Sequence, residues 1–134
     1  MYMPGSCKKG GQTFAMPDAC KTPPAPGVPV PYPNTGSVSS TDKTIAVVLI
    51  ENKETVVISS KIPNSCGDEP GVLKGLISNT QKSTVKFKKG SSKVYAKGKK
   101  VVHHLSTTSQ NGSNSNAPVG SQIAPSQTKV FVAM

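Results

Sequence analysis

Arginine and tryptophan are absent from the sequence, and aromatic residues make up only 4% of it. All 16 basic residues are lysines, which stand against 6 acidic residues and give a formal net charge of +10. Arginine supplies the planar fork that reads guanine or clamps phosphates, and aromatic rings supply stacking platforms for bases. Their scarcity argues against sequence-specific recognition of nucleic acid, although a basic surface binds polyanions through its charge alone.

Long apolar runs are also missing. The longest, residues 45–50, is six residues long and too short to cross a bilayer. The first residues lack the apolar core of a signal peptide, so we expect synthesis in the cytoplasm without such a signal. In that compartment, the three cysteines are expected to be free thiols or metal ligands rather than a disulfide framework.

Signatures of catalysis are scarce as well. The sequence contains neither Gly-x-Ser-x-Gly nor His-Glu-x-x-His. Ser-x-x-Lys occurs several times, as expected by chance in a chain rich in serine and lysine, and the matches at Ser6 and Ser40 do not begin a plausible helix. We therefore predict that this chain is not an enzyme.

Proline, in contrast, is concentrated in one segment. Seven of the 12 prolines fall within residues 17–34. Because proline fixes φ, lacks an N–H donor and keeps the preceding residue extended, this segment is neither a helix nor a central strand. A disordered linker or a ligand for an SH3-type domain is one interpretation. We predict instead an extended strap within the fold, since strand-like sequence follows it directly.

The rest of the chain is typical of short strands in a single domain spanning residues 1–134. Two β-branched runs, residues 44–50 and 55–59, flank a polar tetrapeptide and predict a β-hairpin. A second hairpin is predicted over residues 90–105, and single strands over residues 84–89 and 125–132. The remaining segments are predicted to be a loose N-terminal arm over residues 1–13 and long loops over residues 60–71 and 106–118.

A weak internal repeat accompanies these strands. Lys43, Lys93 and Lys129 each stand just before an apolar strand. The first two strands continue into a hairpin whose return strand carries a pair of valines, at residues 56–57 and 101–102. Repeated hairpins predict an all-β, tapering and pseudo-symmetric structure, with the long loops converging at one pole.

Several motifs occur in the same order as in a known family. They are Pro-Asp-Ala-Cys-Lys-Thr-Pro-Pro-Ala-Pro (residues 17–26) with Val-Pro-Tyr-Pro-Asn (30–34), Gly-Asp-Glu-Pro-Gly (67–71), Gly-Ser-Ser-Lys-Val (90–94), Gln-Asn-Gly (110–112) with Asn-Ala-Pro (116–118), and Gln-Ile-Ala-Pro-Ser-Gln-Thr-Lys-Val (122–130). In this combination the chain resembles the PAAR-like proteins, the spike-tip proteins of contractile injection systems such as the type VI secretion system and related phage-tail-like particles.

The resemblance implies a small cone of β-hairpins. Its base would sit on a trimeric VgrG-type spike, with one copy per trimer, and its apex would meet the target membrane transiently. Effector proteins are further partners that the resemblance implies, with assembly in a bacterium and delivery out of the cell. We expect the base to include the residues around Val94, Tyr95, Val130 and Phe131.

The resemblance also implies a zinc ion held by cysteine and histidine from the converging loops. The predicted ligands are Cys20, Cys66 and His104. A structural zinc site takes four nitrogen or sulfur ligands, and Ser115 stands where we expect related proteins to carry a further cysteine. Adjacent strand residues point to opposite faces, so His103 and His104 cannot both face one site. The alternative is that the two cysteines are small buried apolar residues.

A different class of function also fits the composition. Residues 82–100 contain eight lysines, which favours a basic module that binds nucleic acid or an anionic membrane surface. The carboxylates of Asp68 and Glu69, within a Gly- and Pro-bounded turn, are predicted to cap a loop rather than to bind a cation.

Overall fold

The computed structural model describes residues 2–23, 27–112 and 116–133. The strands are, in chain order, β1 (Tyr2–Pro4), β2 (Gln12–Thr22), β3 (Val28–Ser37), β4 (Ile45–Ile50), β5 (Lys53–Thr55), β6 (Lys61–Ile62), β7 (Val85–Phe87), β8 (Tyr95–Ala96), β9 (Lys99–Lys100), β10 (Thr107–Gln110), β11 (Ala117–Ala124) and β12 (Phe131–Ala133). One 3-10 turn, Val38–Ser40, follows β3. No helix in the described ranges is long and apolar enough to span a membrane. The all-β prediction is confirmed.

The strands form one larger sheet and three two-stranded ribbons. The larger sheet has six strands in the order β3-β2-β11-β10-β7-β6, and the ribbons are β4–β5, β8–β9 and β1–β12. Two ribbons are the predicted hairpins. Their turns place Glu51 and Asn52, and Lys97 and Gly98, at positive φ, as tight hairpin turns require at both central residues.

A closed ring of backbone hydrogen bonds joins three distant parts of the chain. The N–H of Ser6 donates to the carbonyl of Val102 at 2.8 Å. Val102 donates to Val56 at 3.0 Å, and Val56 donates back to Ser6 at 3.0 Å. We call Ser6, Val56 and Val102 the threefold ring, because each residue donates to one partner and accepts from the other.

The neighbours of the ring residues repeat the same pattern. Each ring residue is followed, two positions later, by an N–H that donates to a carbonyl two positions before another ring residue. The three hydrogen bonds run from Lys8 to Glu54, from Ile58 to Lys100 and from His104 to Pro4. The adjacent residues form three antiparallel bridges, Cys7 with Thr55, Val57 with Val101, and Gly5 with His103. The hydrogen bonding around the ring therefore has threefold repetition.

The predicted loose arm over residues 1–13 is wrong for the described residues of that segment. Strand β1 pairs with β12, and Ser6 and Cys7 are fully buried. The physical reason is that Ser6 occupies the ring position held by Val56 and Val102 in the other two repeats, and Cys7 the position of Val57 and His103. The third repeat is thus completed by β12 from one end of the sequence and β1 from the other.

The ring separates two apolar clusters. Val57 and Val101 pack with residues of the three ribbons, namely Ile45, Ala96 and Val132. Val56 and Val102, each one residue away, pack instead with Val38, Ile62, Val85 and Phe87 on the side of the six-stranded sheet. Because successive residues of an extended segment point to opposite sides, the valine pairs serve both clusters at once.

The proline strap forms most of the β2–β3 pair. Asp18 pairs with Tyr32, and the pairing continues to Thr22 with Val28. Strand β3 lies at the edge of the sheet, where the missing N–H groups of Pro29 and Pro31 leave no ladder bond unmade. The extended geometry predicted for the strap is confirmed in its described part. The prediction that the strap contains no central strand is wrong, because residues 17–22 belong to β2, which lies between β3 and β11. Proline is tolerated there because Pro17 lies at the bulge between Ala15 and Asp18. Residues 24–26 lie outside the described residues.

The predicted loop over residues 106–118 is wrong in its first part, because β10 occupies Thr107–Gln110. Strand β11 begins at Ala117 and was not predicted as a strand at all. Strand β10 was not predicted because its residues are polar. Thr108, Ser109 and Gln110 are nevertheless all buried, so polar side chains fill this part of the interior. A sequence pattern that equates polarity with exposure misses such strands.

Candidate functional site

A buried polar cluster surrounds Asp18, which is fully buried on β2. The side-chain amide of Asn34 donates to Asp18 Oδ2 at 3.1 Å. The amides of Asn111 and Asn116 both donate to Asp18 Oδ1, the former at 3.0 Å. These asparagines lie on β3, at the end of β10 and at the start of β11. One carboxylate therefore ties together four segments of the chain, and the set completed by Cys20 and Asp68 is called the Asp18 cluster.

Backbone hydrogen bonds fix which way two of these amides point. Asn111 Oδ1 accepts the N–H of Ser83 at 3.2 Å, and Asn116 Oδ1 accepts the N–H of Ile77 at 2.8 Å. An amide whose oxygen is committed to a backbone donor can present only its nitrogen on the other side. Both side chains consequently direct N–H groups at Asp18.

Cys20 and Asp68 complete the cluster, and both are fully buried. The Cys20 thiol donates to Asp18 Oδ1 at 3.5 Å and lies 3.8 Å from Asp68 Oδ2. The N–H of Lys82 donates to Asp68 at 3.2 Å, so this carboxylate caps the loop as predicted. The ligand-type atoms of Asp18, Cys20 and Asp68 lie within 4.8 Å of one another. On distances alone, this trio could hold a metal ion.

The environment of the cluster raises the pKa of two groups, the Asp68 carboxyl and the Cys20 thiol. Burial, followed by the hydrogen bond with Asp18, raises the pKa of Asp68 to about 6, against the lowering effect of the Lys82 N–H. Burial, followed by the charges of Asp18 and Asp68, raises the pKa of the Cys20 thiol to about 12. At neutral pH the thiol is protonated and acts as a hydrogen-bond donor.

The raised pKa of Asp68 predicts that stability falls as the pH rises. The ordinary value is 3.8, so between about pH 4 and pH 6 the folded chain holds a proton that the unfolded chain has lost. We expect the free energy of unfolding to drop by on the order of 2 kcal/mol from pH 4 to pH 7, relative to Asp68→Asn, which carries no titratable group there. Urea titrations of both proteins at several pH values measure this difference.

The matched control is Glu69→Gln, because Glu69 is exposed and its pKa is lowered, first by its own backbone N–H and then by that of Gly67. Between about pH 5 and pH 7 this variant should lose stability as the unaltered chain does, because the lowered pKa of Glu69 affects stability only at lower pH. A difference between the unaltered chain and Asp68→Asn that does not change with pH would contradict the prediction.

The three predicted zinc ligands are not brought together. Cys20 lies in the Asp18 cluster, whereas Cys66 is exposed and its carbonyl accepts the N–H of Thr35. His104 lies beside the threefold ring, where its N–H donates to Pro4. His103 is buried, with Nδ1 bonded to the carbonyl of His104. Ser115, where a further cysteine was expected, lies outside the described residues.

The other members of the cluster could not be predicted from the sequence. Asp18 lies in the first family motif, but no local pattern shows that it is buried. Asn111 and Asn116 are ordinary loop residues by composition, and their separations of 93 and 98 residues from Asp18 hide the contact. The one available signal is that all three stand in the motifs that carry the resemblance.

The residues expected at the base lie on two of the three ribbons. Tyr95 on β8 is 53% exposed and Phe131 on β12 is 52% exposed. Val130 is also exposed, whereas Val94 is partly buried against the ribbon-side cluster. The third ribbon, β4–β5, and strand β1 add exposed apolar residues that the sequence did not single out. They are Val47, Val48 and Leu49 on β4, and Tyr2 on β1. Every ribbon therefore presents apolar surface to solvent, and we call this surface the ribbon face.

A second exposed apolar set lies on the loop that covers the Asp18 cluster, namely Val72, Leu73, Leu76 and Ile77. This loop is joined to β2 by hydrogen bonds from Leu73 to Lys21 and from Leu76 to Ala19. Strand β11 connects the two ends of the molecule: Gln122 accepts a hydrogen bond from Ser6 of the ring, and Asn116 contacts Asp18. The six residues of extended chain from Asn116 to Gln122 span about 20 Å, which is the approximate distance between these two contacts.

The remaining candidates have ordinary partners. Ser6 donates to Gln122, and Lys9 pairs with Glu51 at 3.2 Å, so this Ser-x-x-Lys match is not an activated nucleophile with its base. The eight lysines of residues 82–100 are all exposed. Their use in binding nucleic acid or an anionic membrane stays a prediction.

Comparison with known proteins points to one family. Residues 11–118 match the family described as toxin PAAR-like domain. The chain is also 40% identical over 126 residues to the DNase toxin Tse7 of Pseudomonas aeruginosa, an alignment that covers 85% of this chain. It spans only 33% of the length of that relative. No solved structure matches the chain.

Proposed function

Because the chain belongs to the toxin PAAR-like domain family, we propose that it is a structural tip that caps a trimeric VgrG-type spike of a contractile injection system. The observation that carries this proposal is the threefold ring formed by Ser6, Val56 and Val102. A single chain has no exact symmetry, so it meets a threefold partner well only if its own backbone repeats three times around one axis.

The ribbon face is the surface that we assign to the spike. Each of the three ribbons carries exposed apolar residues, represented by Val47, Tyr95 and Phe131. Aromatic and aliphatic anchors of this kind dominate binding energy when they enter pockets on a partner. Three such contacts, one for each spike chain, give a stoichiometry of one tip per trimer.

The opposite end is the part that we assign to the target membrane. The loop over the Asp18 cluster exposes Val72, Leu73 and Leu76, and its neighbours include the exposed Lys74 and Lys82. Apolar residues flanked by lysines suit transient contact with an anionic lipid surface. The tip would reach this surface after delivery out of the cell.

A cargo role accompanies this proposal. The matching relative is a DNase toxin, of which this chain corresponds to about a third. We assign the residues described here to docking and puncturing, and any toxic activity to an effector that travels with the tip. The cluster around Asp18 supplies rigidity to the tip and takes part in no reaction.

The test is co-elution of the purified chain with a trimeric spike protein of the same organism on a sizing column. The proposal predicts a stable complex that forms with the intact trimer and is lost when the terminal segment of the spike is deleted. Free elution of both proteins at micromolar concentration would overturn it.

A further inference from the structure

Zinc, which the family resemblance implies, does not suit the donors around Asp18. The three candidate ligand atoms come from two carboxylates and one thiol, and they are met by the amide nitrogens of Asn34, Asn111 and Asn116. An amide N–H₂ group carries positive partial charge and has no lone pair available to a metal. A cation beside Asp18 Oδ1 would face two such groups.

These amides cannot turn over to offer their oxygens. Asn111 Oδ1 is held by the N–H of Ser83, and Asn116 Oδ1 by the N–H of Ile77. Turning either side chain would break this hydrogen bond and set an N–H₂ group against a backbone N–H donor, which is unfavourable in a part-buried site. Among the described residues of the cluster, only Asn34 Oδ1 lacks a hydrogen-bond partner. The Asn34 side chain meets Asp18 through its nitrogen, Nδ2, and not through this oxygen.

The cluster is also closely packed. Gly71 and Gly75, on the covering loop, lie against Cys20 and Asn116. A Cβ atom at Gly75 would come within 2.5 Å of Asn116 Cγ, and one at Gly71 would overlap Cys20 Cβ. Glycine at both positions lets the backbone of the loop pack directly against the cluster. The side chains are hydrogen-bonded to one another in the space that a metal ion and its ligands would need.

We propose that the Asp18 cluster is a metal-independent clamp, in which three asparagine amides and the thiol of Cys20 hold one buried carboxylate in place of a zinc ion. Like a structural metal site, it joins segments far apart in the chain, from β2, β3, the covering loop, β10 and β11. This inference concerns folding and is independent of the proposed spike binding. Its functional consequence is a tip that needs no metal loading and stays folded in the presence of chelators.

The first experiment uses the full chain produced in medium supplemented with zinc. Elemental analysis should find far less than one metal ion per chain. The melting temperature should be the same in excess EDTA and in excess zinc chloride, whereas a tight zinc site would raise it by several degrees. A stoichiometric metal content, or a melting temperature that falls in EDTA, would overturn the clamp.

The second experiment uses two variants that distinguish the clamp from a zinc site. Cys20→Ser keeps an O–H donor to Asp18 but removes the thiolate that zinc needs, so the clamp predicts a small loss of melting temperature that zinc and EDTA leave unchanged. Asn111→Asp replaces an N–H donor by an oxygen of nearly the same shape. The clamp predicts that its melting temperature drops by ten degrees or more, on the order expected for a buried charge without its partner.

Asn79→Asp is the matched control for Asn111→Asp, since it makes the same chemical change at an exposed position of the covering loop. It should melt within a degree or two of the unaltered chain. Equal melting temperatures for Asn111→Asp and the control would contradict the clamp. If Asn111→Asp does not fold, Cys20→Ser is compared with the unaltered chain in zinc and in EDTA. The clamp predicts the same small loss of melting temperature in both, whereas a zinc site predicts a much larger loss in zinc than in EDTA.

Discussion

Asp18→Asn should lower the free energy of unfolding by about 3–5 kcal/mol, the cost of breaking a buried charged network by removing one partner. Three amide nitrogens, those of Asn34, Asn111 and Asn116, donate to this carboxylate. The variant brings a fourth amide into the same space and removes the negative charge that all three N–H₂ groups face. Urea or guanidinium unfolding monitored by circular dichroism measures the loss.

Asp42→Asn is the control for this prediction, because Asp42 is exposed and the chemical change is the same. It should shift stability by less than about 0.5 kcal/mol, as is usual for exposed positions. Since domains of this size are stable by only about 5–15 kcal/mol, Asp18→Asn should be close to the limit of folding. A loss similar to that of the control would mean that the cluster does not hold the far end of the molecule together.

The second large effect is expected on binding. Replacing both Tyr95 and Phe131 by Asp should weaken the complex with the spike trimer by at least about 100-fold, which is roughly 2.7 kcal/mol. Both side chains are more than half exposed, and they lie on two different ribbons, so the change should leave the fold intact. The physical reason is that two apolar anchors become charges that must be desolvated in the interface.

Val72→Asp with Leu76→Asp is the matched control, because it makes the same chemical change at the opposite end of the molecule. Both residues are about half exposed, at 53% and 48%. This variant should bind the spike as the unaltered chain does, as measured by biolayer interferometry or calorimetry. The ribbon face would be the wrong surface if the two double variants weakened binding equally, or if only the control did.

Much of the ribbon architecture could be predicted from the sequence, because its determinants are local. Short runs of β-branched and other apolar residues mark the strands, and Asn52 and Gly98 accept the positive φ that tight turns require. The valine pairs at residues 56–57 and 101–102 also indicated a repeat, although the ring aligns them with an offset of one residue. The strand after Lys129 was predicted as part of a third repeat. Its return strand was missed because Ser6 and Cys7 are not apolar β-branched residues and lie at the other end of the sequence.

The polar half of the molecule could not be predicted in the same way. Strands β10 and β11 bury Gln110 and Gln122, so their burial cannot be read from hydropathy. The Asp18 cluster depends on hydrogen bonds between residues more than 90 positions apart, and only the folded backbone brings them together. The zinc ligands were predicted from the family resemblance and the residue types, which cannot show that amide nitrogens occupy the space beside Cys20.

These two halves explain how a short basic chain with few aromatic residues can be rigid. On one side of the threefold ring, the ribbons pack around an apolar cluster and leave apolar side chains exposed at the surface. On the other side, the proline strap and the Asp18 cluster fix the ends of the six-stranded sheet. The ring gives the molecule a threefold backbone pattern between the two, which a single asymmetric chain otherwise lacks.

The most direct test of this account is the mass of the complex between the chain and its spike, measured by native mass spectrometry. We predict one copy of the chain for each three spike chains, because all three ribbons of one molecule are needed to meet the three subunits. Three copies per trimer, each bound independently to one subunit, would contradict the role assigned to the threefold ring.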